Sequence, residues 1–122
     1  MITLMIVDDH PVIRAGLRAI LSHYTDLAIV AEAASGDEAC TLANVLDPQI
    51  ILMDLNLGPA MSGIEAIRHI LAQSNDRVPR ILVLTNIETE ADILGAIEAG
   101  ATGYLLKDSD PDSLARAVRL TA

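Results

Sequence analysis

Aromatic residues are nearly absent from this sequence: two tyrosines, Tyr24 and Tyr104, and no phenylalanine or tryptophan in 122 residues. Stacking on exposed bases, the usual means of holding single-stranded nucleic acid, therefore has little material here. Cysteine is limited to Cys40, which excludes an internal disulfide and is compatible with a reducing compartment. A small hydrophobe buried on a helix is the reading that fits this residue. No apolar run approaches the roughly 20 residues needed to cross a bilayer, and no basic segment precedes the short apolar run at the N-terminus. No membrane association and a cytoplasmic location are the expectations. Positive charge is also scarce, with 8 Lys and Arg against 17 Asp and Glu, a net charge of −9. Such a field repels a duplex, so this chain alone is not expected to bind DNA. Acidic clusters, by contrast, can hold hard cations.

What the sequence has is aliphatic: 52% of its residues are hydrophobic, enough for the core of a single domain spanning 1–122. Short apolar runs alternate with helical patterns. Leu4–Val7 reads as a first strand, and Pro11 opens a helix with Ile13, Leu17, Ile20 and Tyr24 along one stripe. Gly16 is expected on the inner side of that helix. Ala28–Ala33 is a second strand, at the sheet edge because of Glu32. Ser35-x-x-Glu38 forms a capping box for a helix that stops at Asp47-Pro48. Ile50–Leu55 is uniformly apolar around Asp54, as a central parallel strand requires. Ser62-x-x-Glu65 is a second capping box, starting a helix with Ile64, Ile67 and Leu71 on one face. Arg80–Thr85 is a fourth strand. Thr89–Ala99 is a fourth helix with Ile93 and Ile97 inward, weakened by Gly95 and stopped by Gly100. Thr102–Leu106 is a fifth strand, and Asp110-Pro111 caps a last helix carrying Leu114 and Val118. Five strand–helix pairs without exception predict an α/β fold, a doubly wound five-stranded parallel (βα)5 sheet of flavodoxin-like order 2-1-3-4-5.

Four of these strands are followed at once by a group with chemistry: Asp8-Asp9, Asp54, Thr85 and Lys107. In a parallel sheet they share one edge, and strands one and three are neighbours where the strand order reverses. Three carboxylates so close repel by about 4 kcal/mol per pair at 4 Å and an effective dielectric of 20, so the cluster needs a proton, a cation or both. Mg2+ suits it. Asp54 is then a nucleophile, Lys107 a point charge for a phosphoryl group and Thr85 a hydroxyl donor, an arrangement suited to forming an aspartyl phosphate. Each residue alone is more easily a helix-end anion, a turn cap or a solvated tip. Their conjunction at four strand ends carries the reading.

The residues Asp8-Asp9-His10-Pro11, Asp54-Leu55, Thr85 and Gly103-Tyr104-Leu105-Leu106-Lys107-Asp108 resemble the receiver domain of bacterial response regulators over essentially the whole chain. The wording is most similar to receivers that precede a helix-turn-helix DNA-binding domain. The resemblance implies that Asp54 accepts phosphate from a sensor histidine kinase. It implies Mg2+ on Asp8, Asp9, Asp54 and the backbone carbonyl of Asn56, and phosphate contacts from Lys107 and Asn86. Thr85 and Tyr104 become the switch that shifts the fourth helix. The chain is then a switch that assists only its own phosphorylation and dephosphorylation. An output domain outside this chain would provide DNA contact and control of transcription. A homodimer is compatible, through the first and fifth helices or through the fourth helix and fifth strand.

Two positions depart from the family pattern. The loop after Leu57 reads Gly58-Pro59-Ala60-Met61-Ser62, one residue longer than usual, with its proline displaced. Asn86 stands where a small residue is usual after Thr85, and is expected to slow turnover of the phosphorylated form. His10 is read as an ordinary exposed loop residue, and His23 and His69 as surface residues. A Mg2+-dependent aspartyl-phosphate phosphatase would need a second Asp where Asn56 stands. A flavin-binding electron carrier would need a hydroxyl- and glycine-rich loop in place of Asp8-Asp9-His10.

Overall fold

A computed structural model describes residues 1–74, 76–85 and 90–122. Five strands and five helices alternate along them: β1 Ile2–Val7, α1 Pro11–Leu21, β2 Leu27–Ala33, α2 Gly36–Leu46, β3 Ile50–Asp54, α3 Gly63–Gln73, β4 Arg80–Thr85, α4 Glu90–Ala99, β5 Gly103–Leu106 and α5 Pro111–Thr121. All strand pairs are parallel and the order is β2-β1-β3-β4-β5, as expected from the sequence. Every residue of β3 is buried, which is why this strand shows no polar alternation.

Alternate residues of the central strands feed two separate cores. Met5, Val7, Ile51, Met53, Ile81 and Val83 face α2, α3 and α4 through Ala39, Ala43, Ala66, Ile67, Ile70 and Ala96. Leu4, Ile6, Ile50, Leu52, Leu82 and Leu84 face α1 and α5 through Leu21, Leu114, Ala115 and Val118. The aliphatic composition thus fills both faces, with Tyr24 the aromatic packed at the margin of the second core. Small alanines on α2, α3 and α4 let those helices lie close to the sheet.

Several local expectations are corrected. Gly16 faces outward, with nothing within 4 Å of where a Cβ would stand; α1 turns Val12, Ala15 and Ala19 to solvent as well. In α4, Ala96 is the buried residue, while Ile97 is 43% and Leu94 58% exposed. The helix is apolar around much of its circumference, so periodicity alone does not select its inner face. Thr89, its expected first residue, lies outside the described residues. Gly95 has a packing role besides its low propensity: a Cβ there would stand 3.1 Å from Ile64 Cδ1 of α3. The first capping box is only half formed. The Glu38 N–H donates to Ser35 Oγ, but Glu38 Oε1 accepts from Ala34 N–H, one residue early. The box at Ser62 and Glu65 is complete.

Two features bind the rim of the fold. Glu32 is at home on edge strand β2 because Arg18 Nη1 lies 2.6 Å from its Oε2, with Arg14 Nε 3.7 Å from Oε1. Between Leu4 and Met5 the register of β1 against β2 slips, leaving Val30 as the extra residue, a bulge of the kind that blunts an edge strand. On the same face of the sheet, Arg119 of α5 grips both oxygens of Asp26 and lies 5.2 Å over the Tyr24 ring, whose hydroxyl donates to Asp112 Oδ1. That clasp holds α5 to the chain between α1 and β2.

Candidate functional site at the carboxyl edge of the sheet

Parallel pairing brings the strand-end groups to one edge. Val7 is opposite Met53, so the residues that follow, Asp8 and Asp54, stand side by side. They are 1% and 4% exposed, and Thr85 at the end of β4 is 8% exposed. Lys107 joins them from beyond β5. Its backbone N–H donates to the Thr85 carbonyl at 2.9 Å, which fixes where the side chain starts. Its Nζ reaches 2.8 Å from Asp8 Oδ2 and 3.2 Å from Asp54 Oδ2, with the side chain almost wholly buried.

The two carboxylates share this ammonium unequally. Burial pushes Asp8 up, but the Lys107 ammonium and the His10 donors outweigh it and hold its carboxyl below the ordinary value. Burial dominates at Asp54. The Asn56 N–H and the more distant Lys107 do not offset it, the Asp8 charge adds to it, and the carboxyl is raised. Burial alone would lower Lys107, yet its two carboxylates raise it. The shorter contact identifies Asp8 as the main partner of the lysine and leaves Asp54 the less compensated anion.

This has a consequence for stability. A carboxyl raised in the folded chain stabilises it most below its ordinary pKa, and that contribution fades as pH rises through the raised value. Without divalent cation, Asp54→Asn should therefore melt a few degrees higher than the parent near neutral pH, where about 1 kcal/mol moves a domain of this size by roughly 4 °C. The gain should vanish toward acid pH. Thermal melts across a pH series check this, and a variant less stable than the parent at neutral pH would refute it.

Beside this pair lie Asp9 and His10. Ligand atoms of Asp8, Asp9, His10 and Asp54 all fall within 4.8 Å of one another. Asp8 Oδ2 and Asp54 Oδ2 are buried and, among the described residues, accept no well-angled hydrogen bond, leaving the Lys107 ion pairs to compensate them. Two buried, under-satisfied carboxylate oxygens beside an exposed third carboxylate fit a hard divalent cation that keeps part of its water shell. The cleft above, about 410 Å³, is lined by His10, Asp54, Asn56, Thr85, Asp92 and Lys107 among others.

The loop that carries Asp54 onward is closed tightly at its base. The Asn56 N–H donates to Asp54 Oδ1 at 3.2 Å, and the Gly63 N–H donates to the Leu55 carbonyl at 2.9 Å. A Cβ on Gly63 would stand 2.4 Å from the Asp54 carbonyl oxygen and 2.6 Å from Leu55 Cα, so only glycine lets α3 begin against the end of β3. The long loop accommodates its length away from this base. Gly58 takes a φ of 99°, Pro59 and Ala60 are exposed, and Met61 covers Gly36 at the start of α2, its Sδ 2.8 Å from where a Cβ would lie.

The structure thus gathers Asp8, Asp9, Asp54, Asn56, Thr85 and Lys107. Tyr104 is apart from them in this conformation, on β5 and 51% exposed. Asn86 lies outside the described residues. His10 is exposed as expected, its ring paired with the adjacent Asp8 and Asp9. Sequence reasoning missed two contributors: Asp92 of α4 lines the cleft, and Gly63 permits the close approach. Only Gly63 left a signal in the sequence, a glycine directly after the capping serine.

A response regulator receiver domain model matches residues 4–119, and the chain belongs to that family. The nitrate/nitrite response regulator protein NarP of Escherichia coli (strain K12) is 45% identical over 119 residues, 97% of this chain and 54% of NarP. The chain spans about half the length of the curated relatives it matches. A LuxR-family two-component response regulator from Aurantimonas sp. SI85-9A1 superposes with a TM-score of 0.88 at 44% identity, covering 97% of this chain and 82% of that one. The receiver domain of sensor histidine kinase PA1611 from Pseudomonas aeruginosa PAO1 superposes with a TM-score of 0.85 at 29% identity, covering 98% of this chain and 95% of that one; its structure has a magnesium ion coordinated in the active site cleft.

Proposed function

We propose that this chain is a phosphoacceptor switch of a two-component system, with Asp54 as the acceptor. The observation that carries the proposal is the shared ammonium: Lys107 bridges Asp54 and Asp8 inside a cleft that also holds Thr85. An Asp54 oxygen attacks the phosphorus of a phosphohistidine or small acyl phosphate in line. The new P–O bond forms as the donor's bond to phosphorus breaks, and the departing imidazole or acid keeps the electron pair. Lys107 then turns from pairing Asp54 to pairing a phosphoryl oxygen, and the Thr85 hydroxyl donates to another. Asp8, Asp9, Asp54 and the Asn56 carbonyl would hold Mg2+, which when bound neutralises charge on the transferring group.

The proposed response starts at the same site. Movement of Thr85 toward the phosphoryl group, with Tyr104 turning in from its exposed position on β5, shifts α4, the helix with an interior glycine. A sensor histidine kinase is the proposed donor, and a DNA-binding output domain outside this chain the proposed recipient of the signal. Among the described residues no helix is long and apolar enough to cross a membrane.

The test is incubation with acetyl phosphate and Mg2+, followed by intact-mass measurement. One labile phosphoryl adduct is expected in the parent and none in Asp54→Asn. An adduct that persists in the Asn variant would overturn the assignment.

A further inference from the structure

We infer that Arg14 is a positioning residue for phosphoryl transfer at Asp54: its guanidinium fixes the peptide joining Asp8 to Asp9 and, through Asp8, the ammonium of Lys107. The inference rests on the reading of Asp54 as acceptor and adds a residue from outside the cleft. Arg14 Nη1 donates to the Asp8 carbonyl oxygen at 2.6 Å, a short charge-assisted bond. That oxygen belongs to the Asp8–Asp9 peptide, and because the peptide is planar, holding the oxygen sets the direction in which the chain enters Asp9. The rest of Asp8 is tied down as well. Its N–H donates to the Ala33 carbonyl at 3.0 Å, and its Oδ1 accepts the His10 N–H at 2.9 Å. Its Oδ2 lies 2.8 Å from Lys107 Nζ, the same atom that stands 3.2 Å from Asp54 Oδ2. A displacement of the Asp8 backbone is therefore passed to the cation that faces the acceptor.

The guanidinium is itself located by the edge strand. Glu32 stands opposite Ile6 of β1 and directly precedes Ala33, the residue that receives the Asp8 N–H. Its carboxylate meets two arginines that are not equivalent. Arg18, 54% exposed, reaches Oε2 at 2.6 Å, whereas Arg14, 20% exposed, keeps its Nε 3.7 Å from Oε1 and turns its Nη1 inward to the backbone. A planar fork can face a carboxylate with Nε and a carbonyl with Nη1 at the same time; a single ammonium cannot hold both directions. The acidic residue of β2 thus orients a cation on α1, and that cation orients the start of the acidic loop. A misplacement of about 1 Å far from the chemistry can cost about 100-fold in rate. The other three ties on Asp8 remain when Arg14 is replaced, so a smaller loss is expected.

Two variants, Arg14→Gln and Arg14→Lys, test this with two measurements. Phosphoryl uptake is followed by intact mass over a range of acetyl phosphate concentrations. In Arg14→Gln the limiting rate should fall about 10-fold while the half-saturating donor concentration stays within about 2-fold, the pattern of lost positioning rather than lost binding. Arg14→Lys should recover part of the rate. In protein free of divalent cation, amide hydrogen exchange read by NMR reports the Asp8 segment directly. The Asp8 and His10 amides should exchange about 10-fold faster in Arg14→Gln, while the buried amides of β3 keep their parent rates, as for a local opening. Parent-like uptake in Arg14→Gln, a lysine variant no better than the glutamine one, or equal acceleration of the β3 amides would each overturn the role of Arg14. A phosphoryl adduct that persists in Asp54→Asn would instead overturn the acceptor reading, which is a separate result.

Discussion

Lys107→Met should reduce phosphoryl uptake from acetyl phosphate by about 100-fold or more, the loss typical when a single preorganised charge-stabilising donor is removed. The substitution keeps an unbranched stem of similar length and removes only the ammonium. Two effects then add. The transferring group loses the cation that Lys107 would bring to it, and the buried Asp8 and Asp54 carboxylates lose the counter-charge held 2.8 Å and 3.2 Å away. Breaking a buried pair by removing one partner costs about 3–5 kcal/mol. The open cleft, which admits solvent and cation, keeps the expected loss near the lower end. A rate measured by intact mass, together with a urea melt at matched Mg2+, reads the two effects separately. Normal uptake in the variant would remove Lys107 from the mechanism, whatever its effect on stability.

Gly63→Ala should destabilise the chain by about 3 kcal/mol, the upper end for forcing extra volume into a packed site. The obstacle is backbone: the new Cβ would meet the Asp54 carbonyl oxygen at 2.4 Å and Leu55 Cα at 2.6 Å. A side-chain neighbour could rotate away, as Met61 can above Gly36. Here the end of β3 and the first turn of α3 must separate, which lengthens the bond from Gly63 N–H to the Leu55 carbonyl and displaces Asp54 itself. A lower urea midpoint with unchanged slope, accompanied by slower phosphoryl uptake in the fraction that remains folded, is the expected outcome. Parent-like stability would show that the junction yields more easily than its contacts imply.

The sheet and most of its site could be read from the sequence because both obey simple periodicities. Apolar runs of strand length, each followed by a helical stripe, leave few topologies open, and parallel strands gather whatever follows them. Asp8, Asp54, Thr85 and Lys107 needed no more than that. The parts that could not be read depend on rotation and approach. Gly16 was expected inward, yet it lies with Ala15 and Ala19 on the exposed face of α1, and a residue without a side chain carries no sign of the face it takes. Ile97 was misjudged because α4 is apolar around much of its circumference. Asp92 reaches the cleft only through the packing of α4, which leaves no trace in residue spacing.

The site also bears on the chain's use of cations. Of its eight Lys and Arg residues, seven are arginines, and Lys107 is the sole lysine. At the rim, guanidinium forks serve well, as where Arg119 holds both oxygens of Asp26. Between Asp8 and Asp54 the cation reaches one oxygen of each from a nearly closed position, and in the proposed transfer it would then change partners. A compact ammonium on a flexible stem meets that demand, whereas a planar five-donor fork would need more room and more acceptors. A composition that otherwise favours arginine for positive charge departs from that preference at the one place where the cation sits between two buried carboxylates.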